Sequence, residues 1–244
     1  MKTLIIIPSR LSATRLPGKP LLKINGLSII SHVFNKAIKA NIGEVYVATE
    51  DQEIIDDITN NGGKAILTSN KHKTGTDRIY EALTKIGKAD IDLVMNLQGD
   101  EPMMDVDDIK NLHNQMINTK SLIGTMATKI ENVTLLNKQN VVKVVTEESL
   151  DFSNFPKAKN FVRDLKKEKK NVYHHLGIYC YKFQSLEKFV NLNQSSNEIK
   201  NKLEQLRALD NHMNINVCLA KKPSIGVDTK EDFLAIKKIM EYKS

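Results

Sequence analysis

Three cations recur at short spacing near the amino terminus, Arg10, Arg15 and Lys19, with Ser9, Ser12, Ala13 and Thr14 among them and Pro17-Gly18 setting a turn. Cations among exposed backbone N–H groups suit a polyphosphate. Asp100, in Leu97-Gln98-Gly99-Asp100-Glu101-Pro102, sits beside a glycine that admits close backbone approach. It reads as a magnesium ligand, since magnesium is held by one or two carboxylates plus substrate phosphates, or as a cap of the next segment. Asp228, in Ile225-Gly226-Val227-Asp228-Thr229, reads either as a helix N-cap, a role open to Thr229 as well, or as a second metal carboxylate facing Asp100. In His72-Lys73-Thr74-Gly75-Thr76-Asp77-Arg78, Gly75 offers N–H groups and room for a base, with Arg78 one turn in; the alternative is an ordinary helix start capped by Thr76 or Asp77. Adjacent strand residues face opposite sides, so one metal does not take both His174 and His175; one reads as a polar substrate contact and the other as surface. Tyr179 shares a face with His175 on a regular strand, and Glu204-Gln205-Leu206-Arg207 follows further on.

These groups need elements to hold them. Leu4 to Ile7 is a short β-branched apolar run that reads as a buried parallel strand, ended by Pro8. Ser31–Ala40 has helical apolar spacing, Val45–Ala48 is a second strand, and Thr49-Glu50-Asp51 offers a cap for a helix over Glu53–Thr59. Strands at Ala65–Leu67 and Leu93–Leu97 flank a helix over Thr76–Ile86, and a helix follows over Val106–Met116. This alternation predicts an α/β fold with a mostly parallel, doubly wound sheet. In such sheets ligands bind beyond the carboxyl ends of the strands, where the cation loop and Asp100 both fall. The rhythm then changes. Gly124–Ile130, Val141–Thr146 and Leu176–Tyr181 read as strands, with Thr134–Gln139 between the first two. Helices follow at Glu187–Val190 and Glu198–Leu209, a strand at Ile215–Ala220 and a closing helix at Glu231–Tyr242. We read residues 1–244 as one domain with an inserted antiparallel part around 125–180, serving as a lid or dimer surface.

The 244 residues carry 36 Lys and Arg against 29 Asp and Glu, a net charge of +7. Residues 157–170 concentrate it: seven basic side chains stand against Asp164 and Glu168, with few aromatics, and read as a solvated, partly mobile loop rather than a nucleic-acid surface. No apolar run approaches the ~20 residues that span a bilayer, and the amino terminus enters a strand directly, which reads as cytoplasmic. Cys180 and Cys218 lie in apolar segments and read as free core thiols.

The loop is neither a Gly-x-x-x-x-Gly-Lys-Ser/Thr nor a Gly-x-Gly-x-x-Gly motif. Its pattern, Pro8-Ser9-Arg10 with Thr14-Arg15-Leu16-Pro17-Gly18-Lys19-Pro20-Leu21, resembles the signature loop of sugar nucleotidyltransferases in the CMP-sugar synthetase branch. Further pieces follow in order along nearly the whole chain: Val47-Ala48-Thr49, Gly75-Thr76-Asp77-Arg78, Asn96 to Pro102, Val142-Lys143-Val144-Val145, His175-Leu176-Gly177-Ile178-Tyr179, Leu203 to Arg207 and Gly226 to Thr229. Together they resemble the 3-deoxy-manno-octulosonate (Kdo) cytidylyltransferases, or CMP-Kdo synthetases. The resemblance implies a Rossmann-like nucleotidyltransferase fold, a homodimer, Mg²⁺, and transfer of CMP from CTP to Kdo for lipopolysaccharide assembly. It implies that Arg10, Arg15 and Lys19 hold the triphosphate, that Gly75 and Arg78 help hold the nucleotide, and that Asp100 and Asp228 bind magnesium. Gln98, His175, Tyr179, Glu204 and Gln205 would line the sugar pocket. The family's Phe-Ser-Arg segment is Phe152-Ser153-Asn154 here, so an 8-amino form of the sugar acid stands as an alternative substrate; a sialic-like acid is a second alternative within the same enzyme class. A non-catalytic nucleotide- or RNA-binding protein would suit the charge but gives Asp100 and Asp228 no role.

Overall fold

A computed structural model describes residues 1–12, 15–72, 74–87, 90–130, 136, 138–139, 141–165, 170–223 and 226–242. Ala13, Thr14, Lys73, Ile225, most of the segment expected at Thr134–Gln139 and the run Lys166–Lys169 lie outside the described residues. The chain divides into two compact units, Met1–Ile109 with Ser224–Ser244, and Lys110–Pro223.

In the first unit, strands β1 (Thr3–Ser9), β4 (Glu44–Thr49), β5 (Ala65–Leu67) and β6 (Leu93–Asn96) are all parallel. Their spatial order is β5-β4-β1-β6. The chain therefore steps outward one way from β1 and returns to its other side at β6. Right-handed crossovers then place helices α1 (Ile29–Ala40) and α2 (Gln52–Asn60) on one face and α3 (Gly75–Ile86) on the other. The direction reverses between β1 and β6, which opens a crevice at their carboxyl ends.

Pro8 does not end β1. The strand runs on to Ser9, with Pro8 opposite Ala48 and Ser9 opposite Thr49. The Ile6 carbonyl accepts from Leu97 N on the β6 side. Two residues on, Pro8 turns its donorless nitrogen to that same side, past Asn96, where the β6 register stops. The missing N–H leaves no bond unmade. Gly99 fills the space: a Cβ there would stand 2.9 Å from the Pro8 carbonyl oxygen and 3.1 Å from Ile30 Cδ1.

Between β1 and α1 the structure adds elements that the periodicity hid, a 3-10 turn over Lys19–Leu21 and a hairpin of β2 (Lys23–Ile24) and β3 (Leu27–Ser28). Its turn is Asn25-Gly26, both at positive φ (48° and 78°), the conformation these residues tolerate best. The closing helix α8 (Lys230–Tyr242) packs on this hairpin: Ile24, Ile29, Val227 and Ile236 are fully buried together, with Leu16, Leu22, Met103 and Phe233 around them. That cluster brings the carboxyl-terminal segment to the amino-terminal loop.

In the second unit, β7 (Ile123–Thr128) pairs in parallel with β11 (Ile215–Leu219) and antiparallel with β10 (Val172–Lys182). Strand β8 (Lys143–Thr146) pairs antiparallel with β10 and with β9 (Ala158–Val162). Strand β9 corrects the expected loop over 157–170. Its buried positions are Ala158 and Phe161, with Lys159 turned out, so lysine content masked a strand with one apolar side. Helix α4 (Val106–Asn118) spans the division between units; Gly124 beside it admits Met116 and Phe155, which would stand 2.7 and 2.8 Å from a Cβ.

The single helix expected over Glu198–Leu209 is two, α6 (Ser196–Asn201) and α7 (Leu206–Asp210), following α5 (Phe183–Val190). Lys202 takes the left-handed conformation (φ 53°) and breaks the run. Glu198 and Ser195 form a reciprocal capping box at the start of α6. The Glu198 carboxylate also accepts two bonds from Arg207, at 2.9 and 2.7 Å, with both side chains nearly fully buried. Arg207 further stacks over the Phe189 ring. Truncating one member of a buried ion pair strands the other. Arg207→Ala therefore lowers unfolding stability by about 3–5 kcal/mol, read from urea denaturation midpoints; an unchanged midpoint contradicts the assignment.

Candidate active site

The crevice between β1 and β6 holds a cavity of about 330 Å³ in the first unit. It gathers eight of the residues singled out from sequence: Arg10, Arg15 and Lys19 from the loop after β1, Gln98 and Asp100 after β6, Gly75 and Arg78 at the start of α3, and Asp228 before α8. Ser9, His72 and Thr74 also line it and carried no role in the sequence reading. Ser9 is the last residue of β1, a position that faces the ligand end of such a sheet.

Lys19 is the centre of the charge arrangement. Its Nζ donates to Asp100 Oδ2 at 2.6 Å and lies 3.5 Å from Asp228 Oδ1, with only 12% of its side chain exposed. Arg15 contacts the same Asp228 oxygen at 3.1 Å. The backbone that presents Lys19 is fixed locally. Gly18 has φ 69°, strained for a side-chain-bearing residue, and donates to the Leu11 carbonyl, while Pro20 is buried in the 3-10 turn. Leu11 N in turn donates to Asp51 Oδ2 at 2.7 Å. Asp51, one of the three residues offered as a cap for α2, makes no side-chain cap bond there and instead tethers the cation loop.

Asp228 is not the cap of α8. Thr229 Oγ1 accepts from Asp232 N, and the Asp232 carboxylate accepts from Thr229 N and Asp228 N. This reciprocal arrangement satisfies the helix start and leaves the Asp228 carboxylate to the cavity. Val227 N donates to the Asp100 carbonyl at 2.9 Å, joining the two carboxylate-bearing segments. Among the described residues no three His, Cys, Asp or Glu side chains converge as a metal cage. Two carboxylates directed at one cation fit magnesium, which completes its shell with water and phosphate oxygens.

The cap of α3 is Thr74, whose side chain accepts from Asp77 N, rather than Thr76 or Asp77. Its N–H-rich start thus opens on the cavity, with Gly75 against Pro8. Arg78 is buried, donating to Thr68 Oγ1 at 2.6 Å and to the Ser69 carbonyl, and pairing with Glu50. It braces the cavity wall between β4 and α3. His72 pairs with Glu81, which also accepts from Ser69 N and Lys85. Burial alone would raise the Glu81 pKa, but these three donors outweigh it and hold the carboxyl at about 2.

The remaining candidates, His175, Tyr179, Glu204 and Gln205, belong to the second unit. Strand β10 bulges between Leu176 and Tyr179 opposite β7, so it is not the regular strand expected. The bulge spans an even number of extra residues, and the His175 and Tyr179 rings stay neighbours at 5.5 Å. Thr125 fills the bulge, its hydroxyl 2.7 Å from the Ile178 carbonyl and 3.0 Å from His175 Nε2. With its one proton on the carbonyl, that hydroxyl accepts from His175, which fixes the Nε2–H tautomer. Glu204 and Gln205 sit in the turn that opens α7. Asn154 closes its own loop, accepting from Asp151 N and donating to the Ser149 carbonyl at 2.7 Å. Both cysteines are buried and free, as expected, and burial raises the Cys180 thiol to about 12.

Comparison with known proteins gives this arrangement its family. A family model described as cytidylyltransferase matches residues 4–215. A solved CMP:2-keto-3-deoxy-manno-octonic acid synthetase, complexed with CTP, superposes with a TM-score of 0.90 at 33% identity, covering 100% of both chains. A putative glucose-1-phosphate thymidylyltransferase from Bacillus anthracis shares the fold at a TM-score of 0.71 and 14% identity, covering 98% of this chain and 95% of its own. The fold is thus the Rossmann-like fold of nucleotidyltransferases. A 3-deoxy-manno-octulosonate cytidylyltransferase of Thermodesulfovibrio yellowstonii is 41% identical over 98% of both chains, and one of Brucella anthropi is 40% identical over 95% of this chain and 94% of its own. The chain belongs to the 3-deoxy-manno-octulosonate cytidylyltransferase family. No described helix is long and apolar enough to cross a membrane.

Burial, and then the neighbouring His174, push the His175 pKa down to about 3. An unfolded histidine takes its proton near 6.5, so the unfolded chain binds more protons between about pH 6.5 and 3, and His175 lowers stability as pH falls through that window. By NMR titration, His175 stays neutral from pH 8 to pH 5 with the Nε2–H tautomer; a midpoint between 6 and 7 contradicts its buried placement.

Proposed function

We infer that this chain transfers CMP from CTP to Kdo, releasing pyrophosphate and CMP-Kdo. The observation that carries this reading is the convergence of Lys19, Asp100 and Asp228 at the β1–β6 crevice, in a chain of this family. The anomeric hydroxyl oxygen of the acid sugar attacks the α-phosphorus of CTP in line. The new O–P bond forms as the bond to the β-phosphate oxygen breaks, and the hydroxyl proton is released. Such a step asks for positioning and charge neutralisation more than for covalent work by the protein.

We assign the triphosphate to Arg10, Arg15 and Lys19, which bring positive charge and donors to the developing anion. Thr74 and Gly75 offer the start of α3 to the nucleotide, and Arg78 keeps that start in place through Glu50 and Thr68. Asp100 and Asp228 would hold Mg²⁺, which when bound neutralises phosphate charge and lowers the pKa of the attacking hydroxyl. Gln98 is assigned to the sugar acid. The family resemblance assigns His175, Tyr179, Glu204 and Gln205 to the sugar acid as well, and His175 would act there as a neutral donor or acceptor rather than a base. We read the protein as a cytoplasmic homodimer, as the family resemblance implies.

The test is pyrophosphate release with Mg²⁺, offering Kdo and its 8-amino analogue against each of the four nucleoside triphosphates. Release with CTP and Kdo is expected, and Asp100→Asn lowers its turnover by ~10²-fold or more. No release with either acid from folded, CTP-binding protein overturns the substrate assignment. Near-normal turnover of Asp100→Asn at saturating Mg²⁺ removes Asp100 from the mechanism.

A further inference from the structure

Lys19 stands where the two carboxylates converge. Its ammonium lies at hydrogen-bond distance from the Asp100 oxygen and near the Asp228 oxygen, which Arg15 also contacts at 3.1 Å. A magnesium ion takes carboxylate oxygens at about 2.0–2.1 Å. An ammonium held at 2.6 Å from the same Asp100 oxygen opposes such an ion, since the two cations repel each other across one anionic point. Asp100 and Asp228 therefore have two competing counter-ions, one built into the chain and one from solution.

The lysine is placed to move between them. Its backbone is pinned by the left-handed Gly18 and the buried Pro20, so only the flexible four-carbon stem carries the ammonium. Arg10 and Arg15 line the same cavity. A triphosphate drawn in by these arginines offers Lys19 a second anion of higher charge than either carboxylate.

We propose that Lys19 guards the magnesium carboxylates: it holds Asp100 and Asp228 closed to metal until a nucleoside triphosphate draws its ammonium away. The proposal rests on the assignment of magnesium to these two residues and adds an order of events to it. Metal binding and triphosphate binding become positively coupled, and by linkage each strengthens the other. Lys19 then has two roles in one turnover, counter-ion to the carboxylates first and ligand to the phosphates afterwards.

The coupling predicts an effect opposite to that of removing an ordinary site residue. Without nucleotide, the protein with Lys19→Met binds Mn²⁺, used as a spectroscopic stand-in for Mg²⁺, about tenfold more tightly than wild type. Free Mn²⁺ is read by electron paramagnetic resonance, and circular dichroism checks the fold; Lys19→Gln serves if Lys19→Met is unstable. Adding Asp100→Asn to Lys19→Met abolishes the gain. If Lys19→Met binds no more tightly than wild type while Asp100→Asn still weakens wild-type binding, the guard is overturned and the metal assignment stands. A gain that survives Asp100→Asn arises elsewhere and also overturns it. If Asp100→Asn changes Mn²⁺ binding in neither background, the metal assignment falls and the guard with it.

Discussion

The contact of the Lys19 ammonium with Asp100 and Asp228 is the constraint on which the rest of the first unit depends. It joins three stretches of chain that sequence separates by 81 and 209 residues. Each is delivered by a different device. The reversal of strand order between β1 and β6 puts the loop bearing Lys19 beside the one bearing Asp100. The apolar cluster of Ile24, Ile29, Val227 and Ile236 brings Asp228 in from the far end of the chain. The bond from Val227 N to the Asp100 carbonyl then sets the spacing of the two carboxylates. Fold and charge cluster are in this sense one problem: partly buried like charges are tolerated because a cation lies between them.

Around that contact the walls are built from polar groups that already have partners. Asp51 tethers Leu11, Glu50 and Thr68 grip Arg78, and Glu81 gathers His72, Ser69 and Lys85. These groups are already paired before any polyanion enters, which is what electrostatic preorganisation requires. The second unit uses the same logic on different chemistry. Thr125 fixes the tautomer of a buried, neutral His175, and the Glu198–Arg207 pair fixes the turn that carries Glu204 and Gln205.

Much of the first unit was legible because its strands are continuous apolar runs ending at loops that carry the candidate site residues; Leu4 to Ile7 and Leu93 to Asn96 announce themselves. The cation spacing of Arg10, Arg15 and Lys19, and the Gly99-Asp100 pair, pointed to a phosphate and metal site before any geometry was known. What stayed hidden depended on contacts between distant residues or on weak local patterns. Sequence left Asp228 open between cap and ligand, and only the Thr229–Asp232 exchange shows that it is not the cap. Asp51 looked like a cap because its partner Leu11 lies 40 residues away. Strand β9 was disguised by its lysines, since Ala158 and Phe161 alone mark its buried side. The break at Lys202 has no glycine or proline to signal it. The left-handed turn is stabilised by the capping box before it and the buried ion pair across it.

The central claim is that the crevice between β1 and β6 is a triphosphate and magnesium site organised by Lys19. A crystal structure with CTP and Mg²⁺ tests it most directly. The account predicts the triphosphate against Arg10, Arg15 and Lys19, the Lys19 ammonium shifted from Asp100 to a phosphate oxygen, and a metal ion on Asp100 and Asp228. A triphosphate bound elsewhere, or bound in the crevice with Lys19 still bridging the two carboxylates and no metal on them, would contradict it.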